Sequence, residues 1–158
     1  KDAKLVLVEF ADFECPYCRQ EFSIIREVAN LYPQIKIIFR DLPLISIHEN
    51  ALSAAIAANC AHQQGKFWQY HDQLFLNQEQ LGDELYNKVA VRSGLNVEIF
   101  NQCQKDNAVK EEIIRDVEDA KKMNVEGTPT FFLNGKKISG VISLDVWQKI
   151  INTALLGN

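Results

Sequence analysis

Val8-Glu9-Phe10-Ala11-Asp12-Phe13-Glu14-Cys15-Pro16-Tyr17-Cys18 is where the sequence changes from one periodicity to another. Upstream, Lys4-Leu5-Val6-Leu7-Val8-Glu9-Phe10 is a nearly continuous apolar and β-branched run, the pattern of a strand buried on both faces in the middle of a sheet. Downstream, Pro16 stands at a first helical position, where an N–H would have no partner anyway. A helix is predicted from there to about Leu31, with Phe22, Ile25, Ala29 and Tyr32 on one face. The two elements meet at Cys15, which puts a dithiol at a helix N-terminus.

That position has chemical consequences. With Cys15 at the N-cap, unpaired N–H groups of the first turn face its sulfur, and the positive end of the helix dipole acts in the same sense. Both favour a thiolate, so Cys15 is the candidate nucleophile with a depressed pKa. Cys18 lies one turn later on the same face and is the candidate resolving thiol, in a more buried setting. The bare C-x-x-C spacing also fits a structural disulfide or half of a metal site. Its place between a buried strand and a Pro-started helix favours the redox reading. A zinc site would need a second C-x-x-C or a close His pair, and His48, His62 and His71 are scattered. No metal is expected, and no cofactor beyond the Cys15-Cys18 disulfide itself.

Outward from this point, Ile35-Lys36-Ile37-Ile38-Phe39 reads as a second strand. From Ile47 to about Met123 the pattern is helical, broken at Gly65, Gly82 and Gly94. Its last helix carries Val109, Ile113, Val117, Ala120 and Met123, a stripe expected to pack on the sheet. Thr130–Leu133 and Lys136–Ile138 flank Asn134-Gly135, the signature of a two-residue hairpin turn. Ser143 is expected to cap a final helix bearing Val146, Trp147, Ile150, Ile151 and Ala154. The order predicts one α/β domain.

The 158 residues are 47% hydrophobic, enough for one core, and carry a formal net charge of -4 with both signs interspersed. There is no basic stripe for nucleic acid and no polybasic membrane patch. No apolar run approaches the roughly 20 residues of a membrane helix. The sequence starts at Lys1 without a methionine and enters a strand almost at once, so an export signal, anchor or tag ahead of it is an expectation.

The stretch from Val8 to Cys18, together with Gly127-Thr128-Pro129-Thr130-Phe131-Phe132-Leu133-Asn134-Gly135, resembles the thioredoxin superfamily and, within it, the DsbA-like proteins. Ala57–Ala61 and Gly65–Asp72 resemble the helical insertion of that group, so the resemblance spans essentially the whole chain. It implies a thioredoxin fold with an inserted helical domain. Residues 1–158 would form a single DsbA-like domain, with the core at about 1–45 and 108–158 and the insertion at about 46–107.

Residue by residue, the resemblance makes Cys15 the nucleophilic cysteine and Cys18 the resolving one, with Pro16 and Tyr17 between them. Pro129 matches the family's cis-proline, which sits against the dithiol and leaves the Thr128 backbone free to pair with an extended substrate. Pro16-Tyr17 departs from the Pro-His of the best-known DsbA oxidants and is similar to the glutaredoxin pair; Tyr17 cannot supply a histidine's positive charge, which leaves the redox poise open. Glu9 falls where the superfamily carries a buried acid, and with a pKa raised by desolvation it would pass protons to or from Cys18.

Cys60 and Cys103 lie on apolar faces of the helical block, compatible with two buried thiols or a second disulfide. Some DsbA-like proteins carry such a bridge, and in an oxidising compartment it is the expected state. Phe67, Trp68, Tyr70 and Phe75 read as core, His48 as a capping or surface residue, and Arg40 and Asp41 as a solvated or locally paired surface.

The implied function is an extracytoplasmic dithiol oxidase, acting as a monomer. It would pass its disulfide to reduced client proteins or peptides and be reoxidised by a membrane partner of the DsbB or VKOR kind. A reductase or isomerase on the same scaffold is the second reading. A metal-handling dithiol module is the third, poorly served by a single methionine, Met123.

Overall fold

The computed structural model describes residues 5–157. Lys4, which the sequence pattern assigns to the first strand, lies outside them. That strand, β1 (Leu5–Ala11), pairs in parallel with β2 (Ile35–Asp41) and antiparallel with β3 (Thr130–Leu133), which pairs in turn with β4 (Lys136–Ser139). The sheet order is β2-β1-β3-β4. β1 is therefore interior, both of its edges are hydrogen-bonded, and its apolar run needs no polar face.

Alternation along β1 divides its side chains between two layers. Leu5 and Leu7 join Phe131, Leu133, Ile25, Val28, Trp147 and Ile151 beneath α1 (Pro16–Leu31) and α7 (Leu144–Leu156). Phe10 turns the other way, to Phe132, Leu42 and Ala120 of α6 (Asn107–Lys122). Glu9 has the parity of Leu5 and Leu7 and faces the α1 and α7 layer. The turn at Asn134 and Gly135 has φ of 46° and 85°, as a two-residue hairpin of this kind requires.

Between β2 and α6 lie α2 (Ala51–Gln63), α3 (Phe67–Leu76), α4 (Asp83–Arg92) and α5 (Val97–Cys103). Ala51, Ala54, Ala55, Ala57, Ala58 and Ala61 make α2 narrow and buried on nearly every side, so its neighbours approach closely. Their cluster continues without a break into Phe13, Cys15 and Cys18. The helical block thus forms one wall of the dithiol's surroundings.

Three expectations need correction. The α6 stripe does not lie wholly on the sheet: Val117 and Ala120 do, but Val109 and Ile113 pack into the helical block and Met123 is exposed. A helix of 16 residues is about 24 Å long, enough to lean on both. Ser143 occupies the N-cap of α7 in extended conformation, yet its side chain makes no capping bond; Asp145 in the first turn complements the dipole instead. Trp68 is not core. It sits at the rim of a cavity beside Glu9, whereas Tyr70 and Phe75 are fully enclosed.

Candidate active site

β1 ends at Ala11, and the chain turns into α1 through Asp12, Phe13 and Glu14. The turn is closed by Cys15 N–H donating to the Asp12 carbonyl at 3.1 Å and by Glu14 N–H donating to Asp12 Oδ1 at 2.8 Å. Cys15 takes the N-cap in extended conformation and Pro16 opens the helix. Cys15 and Cys18 are both buried free thiols, while Tyr17 between them is 63% exposed.

The two sulfurs are chemically unequal. Cys15 is pulled down from 9.0 to about 5, first because the Cys18 thiol donates to it. Burial opposes the shift, and the Thr128 hydroxyl and the N–H groups of Cys18 and Tyr17 add to it. The N–H groups to which the sequence argument gave first place are the smallest of these contributions, and the sulfur closes no regular capping bond. Cys18 is pushed well up, chiefly by burial and then by its bond to Cys15, although the Asp12 N–H faces its sulfur at 3.5 Å and acts against the rise.

Opposite the dithiol, the loop before β3 brings Thr128 and Pro129 alongside, and the Thr128–Pro129 peptide is cis. The Cys15 thiol donates to the Thr128 carbonyl at 3.6 Å. The Thr128 hydroxyl is buried and closes no hydrogen bond elsewhere, which leaves its proton for the Cys15 sulfur. Tyr17, Gln20, Thr128, Gly140 and Val141 border an open depression of about 440 Å³.

Glu9 is 3% exposed, and burial followed by the nearby Glu21 charge pushes its pKa up to about 8. It lines a cavity of about 200 Å³ together with Ile25, Arg26, Trp68 and His71. Glu21 is a residue the sequence reading missed. It is fully buried on α1 and accepts from Trp147 Nε1 at 2.6 Å and Ile142 N–H at 3.0 Å, tying α1 to α7. Its position three residues after Cys18 and four before Ile25, on the buried face, was the available signal.

Four more side chains that shape the site went unassigned or were misplaced. Asp12 is enclosed and accepts from Leu44 N–H and His48 Nδ1, each at 2.8 Å, so His48 is neither a helix cap nor a surface residue. Glu14 accepts from the N–H and side-chain amide of Asn50. Gln78 donates to the carbonyls of Phe13 and Cys15. These bonds span 32 to 65 residues, beyond the reach of local pattern.

The Arg40–Asp41 expectation also changes. Arg40 pairs with Asp116 and Asp119 on α6, far along the chain rather than locally. Asp41 is 5% exposed, accepts from Asn59 at 2.7 Å, and is pushed up to about 7, mainly by burial.

Cys60 on α2 and Cys103 at the end of α5 form a disulfide 43 residues apart in sequence. Among the described residues no group of three or more His, Cys, Asp or Glu side chains is placed to hold a metal ion. Nor is any helix among them long and apolar enough to cross a membrane.

A family model described as thioredoxin matches residues 1–153. The Na(+)/H(+) antiporter NhaA 3 of Salinispora tropica is 36% identical over 154 residues, covering 98% of this chain and 24% of the antiporter. The chain thus spans about a quarter of the length of the curated relatives it matches. Among solved structures, a thioredoxin-like oxidoreductase from Silicibacter pomeroyi superposes with a TM-score of 0.87 at 25% identity, covering 97% of this chain and 87% of that one. The thiol-disulfide exchange protein alpha-DsbA2 from Wolbachia pipientis gives a TM-score of 0.87 at 24% identity, covering 97% and 83%. The sheet order, the helices between β2 and α6, and the dithiol at the start of α1 are thereby accounted for: the chain belongs to the thioredoxin family, in the DsbA-like form of that fold.

Proposed function

We propose that the protein is a thiol-disulfide oxidoreductase that donates the Cys15-Cys18 disulfide to reduced client proteins in an extracytoplasmic compartment. The observation that carries this reading is the inequality of the two sulfurs, Cys15 pulled down to about 5 and Cys18 pushed up. A client thiolate attacks Cys15 Sγ of the oxidised enzyme, a client–Cys15 disulfide forms, and Cys18 leaves as a thiolate that takes a proton. A second client thiolate then attacks the client sulfur, and Cys15 departs as a stabilised thiolate. Two electrons pass to the enzyme and the client gains a disulfide.

Glu9, with a pKa near the working pH and a face on a cavity, is assigned as the proton donor and acceptor for Cys18. The client segment lies in the depression beside Tyr17 and Val141, its backbone paired with Thr128 as an added strand. The Cys60–Cys103 disulfide supports an oxidising compartment. A membrane partner of the DsbB or VKOR kind would reoxidise the dithiol. Tyr17, exposed and without positive charge, is the observation that keeps a reductase as the second reading.

Thermal melts of the dithiol and disulfide forms test the assignment. A thiol whose folded pKa is depressed contributes stability that is present above its unfolded pKa, near 9, and lost as pH falls through about 5. Ionisation of Cys15 therefore adds about 1 to 2 kcal/mol to the dithiol form at pH 7 after allowance for solvent screening, against the small loop-closure contribution of the disulfide, and the dithiol form is expected to be the more stable. The gap should shrink toward pH 5. A disulfide form that is more stable throughout this range would favour the reductase.

A further inference from the structure

Three donors converge on the enclosed Asp12 carboxyl: Glu14 N–H on Oδ1, and Leu44 N–H and His48 Nδ1 on Oδ2, each at 2.8 Å. Two of them are main-chain groups. His48 is the one side chain of the three, reaching in from the segment between β2 and α2, 36 residues further along the chain. The main chain of Asp12 meanwhile touches both cysteines, its N–H facing Cys18 Sγ at 3.5 Å and its carbonyl accepting from Cys15 N–H. Glu14 repeats the arrangement with Asn50, so the loop before the dithiol is tied to the 42–50 segment by two carboxyl groups. A buried carboxyl stripped of a donor must find another or move.

Resting on the exchange reaction proposed above, we propose that His48 is a positioning residue for the Cys18 half of that reaction. By donating to Asp12 it fixes the main-chain N–H that meets the Cys18 sulfur. When a thiolate attacks Cys15 Sγ, a new disulfide forms on Cys15, the Cys15–Cys18 bond breaks, and Cys18 keeps the electron pair until it is protonated. The Asp12 N–H is directed at the atom that gains this charge, and a better stabilised thiolate leaves faster. Attack by the Cys15 thiolate of the reduced enzyme meets that bond only indirectly, through the Cys18 thiol beside it. The two half-reactions therefore respond differently to the loss of His48.

The test opens the disulfide of the oxidised full chain with glutathione, quenches at short times and quantifies the glutathione adduct on Cys15 by mass. His48→Leu keeps bulk without a donor, and His48→Asn returns a donor at similar reach. Ring opening is expected to be about fivefold slower in His48→Leu, the effect of one net hydrogen bond, and close to wild type in His48→Asn. Iodoacetamide labelling of Cys15 in the reduced protein should run close to the wild-type rate in both variants. His48→Ala replaces His48→Leu if the latter does not fold. Wild-type ring opening in the donor-less variant, equal slowing of ring opening and labelling, or no recovery in His48→Asn would each overturn the proposal. A wild-type protein inert to glutathione would remove the exchange reading itself, and this one with it.

Discussion

Four cysteines form two pairs in this chain, and exposure does not tell the pairs apart: Cys15, Cys18, Cys60 and Cys103 are 3%, 0%, 0% and 8% exposed. Their surroundings do. Cys60 lies inside α2, where helix hydrogen bonds already use the backbone N–H groups and the neighbours are alanines, so nothing there favours a thiolate. Cys15 stands where a strand stops and a helix starts, with Cys18, Thr128 and two first-turn N–H groups acting on its sulfur. Reactivity follows from donors left over by the fold, and inertness from their absence.

The largest effects separate the pairs outright. Cys15→Ser is expected to bring client oxidation to the background rate, while Cys18→Ser should still form mixed disulfides with clients and accumulate them, as read on non-reducing gels. The Cys60→Ala, Cys103→Ala double variant should do the reverse. Closure of a loop of this length corresponds to about 4 kcal/mol in the chain-entropy model, so denaturant unfolding should show a loss of that order. Exchange per folded molecule should stay within about twofold. Should exchange collapse with stability, the second pair would belong to the site and the contrast would fail.

Much of this contrast could be read from local sequence. The buried run ending at Phe10, Pro16 after Cys15, and Asn134-Gly135 between two short strands each carry a conformational preference within a few residues, and each element formed where that preference lay. The dithiol was legible for the same reason, and Pro129 through the family resemblance of the segment around it. Asp12, Glu14, His48 and Gln78 were not, because their bonds join the turn before α1 to the β2–α2 connection or to a residue beyond α3. Asp41 looked like a strand-end acid beside Arg40; Asn59 of α2 and Asp116 of α6, 18 and 75 residues later, enclose it. Glu21 went unnoticed because a polar residue on an apolar face reads as noise until Trp147 closes over it.

A smaller effect sharpens the comparison at Glu9. Its carboxyl is raised from 4.5 to about 8, so the native state holds a proton that the unfolded chain releases. That contribution is fully present below about pH 4.5 and is lost as pH rises through 8. Glu9→Gln should therefore flatten the fall in stability across this window, by on the order of a few kcal/mol at its upper end. Asp41, raised to about 7, contributes a slope of the same sign to both proteins and cancels in the difference. Disulfide ring opening at Cys18 should also lose its inflection near pH 8 and slow by about a hundredfold, the lower end of the usual range for a lost general acid or base. A variant with the wild-type profile would remove Glu9 from proton transfer.

The central claim, that the fold makes Cys15-Cys18 a donor of disulfides, is tested most directly by its equilibrium with glutathione in the Cys60→Ala, Cys103→Ala background. A Cys15 pKa of about 5 falls between the values near 7 and 3.5 typical of thioredoxin and DsbA. The reduction potential is accordingly expected between about -270 and -120 mV, the values associated with those two proteins. A potential at or below about -270 mV would mean a dithiol as reducing as that of thioredoxin, and would contradict the account.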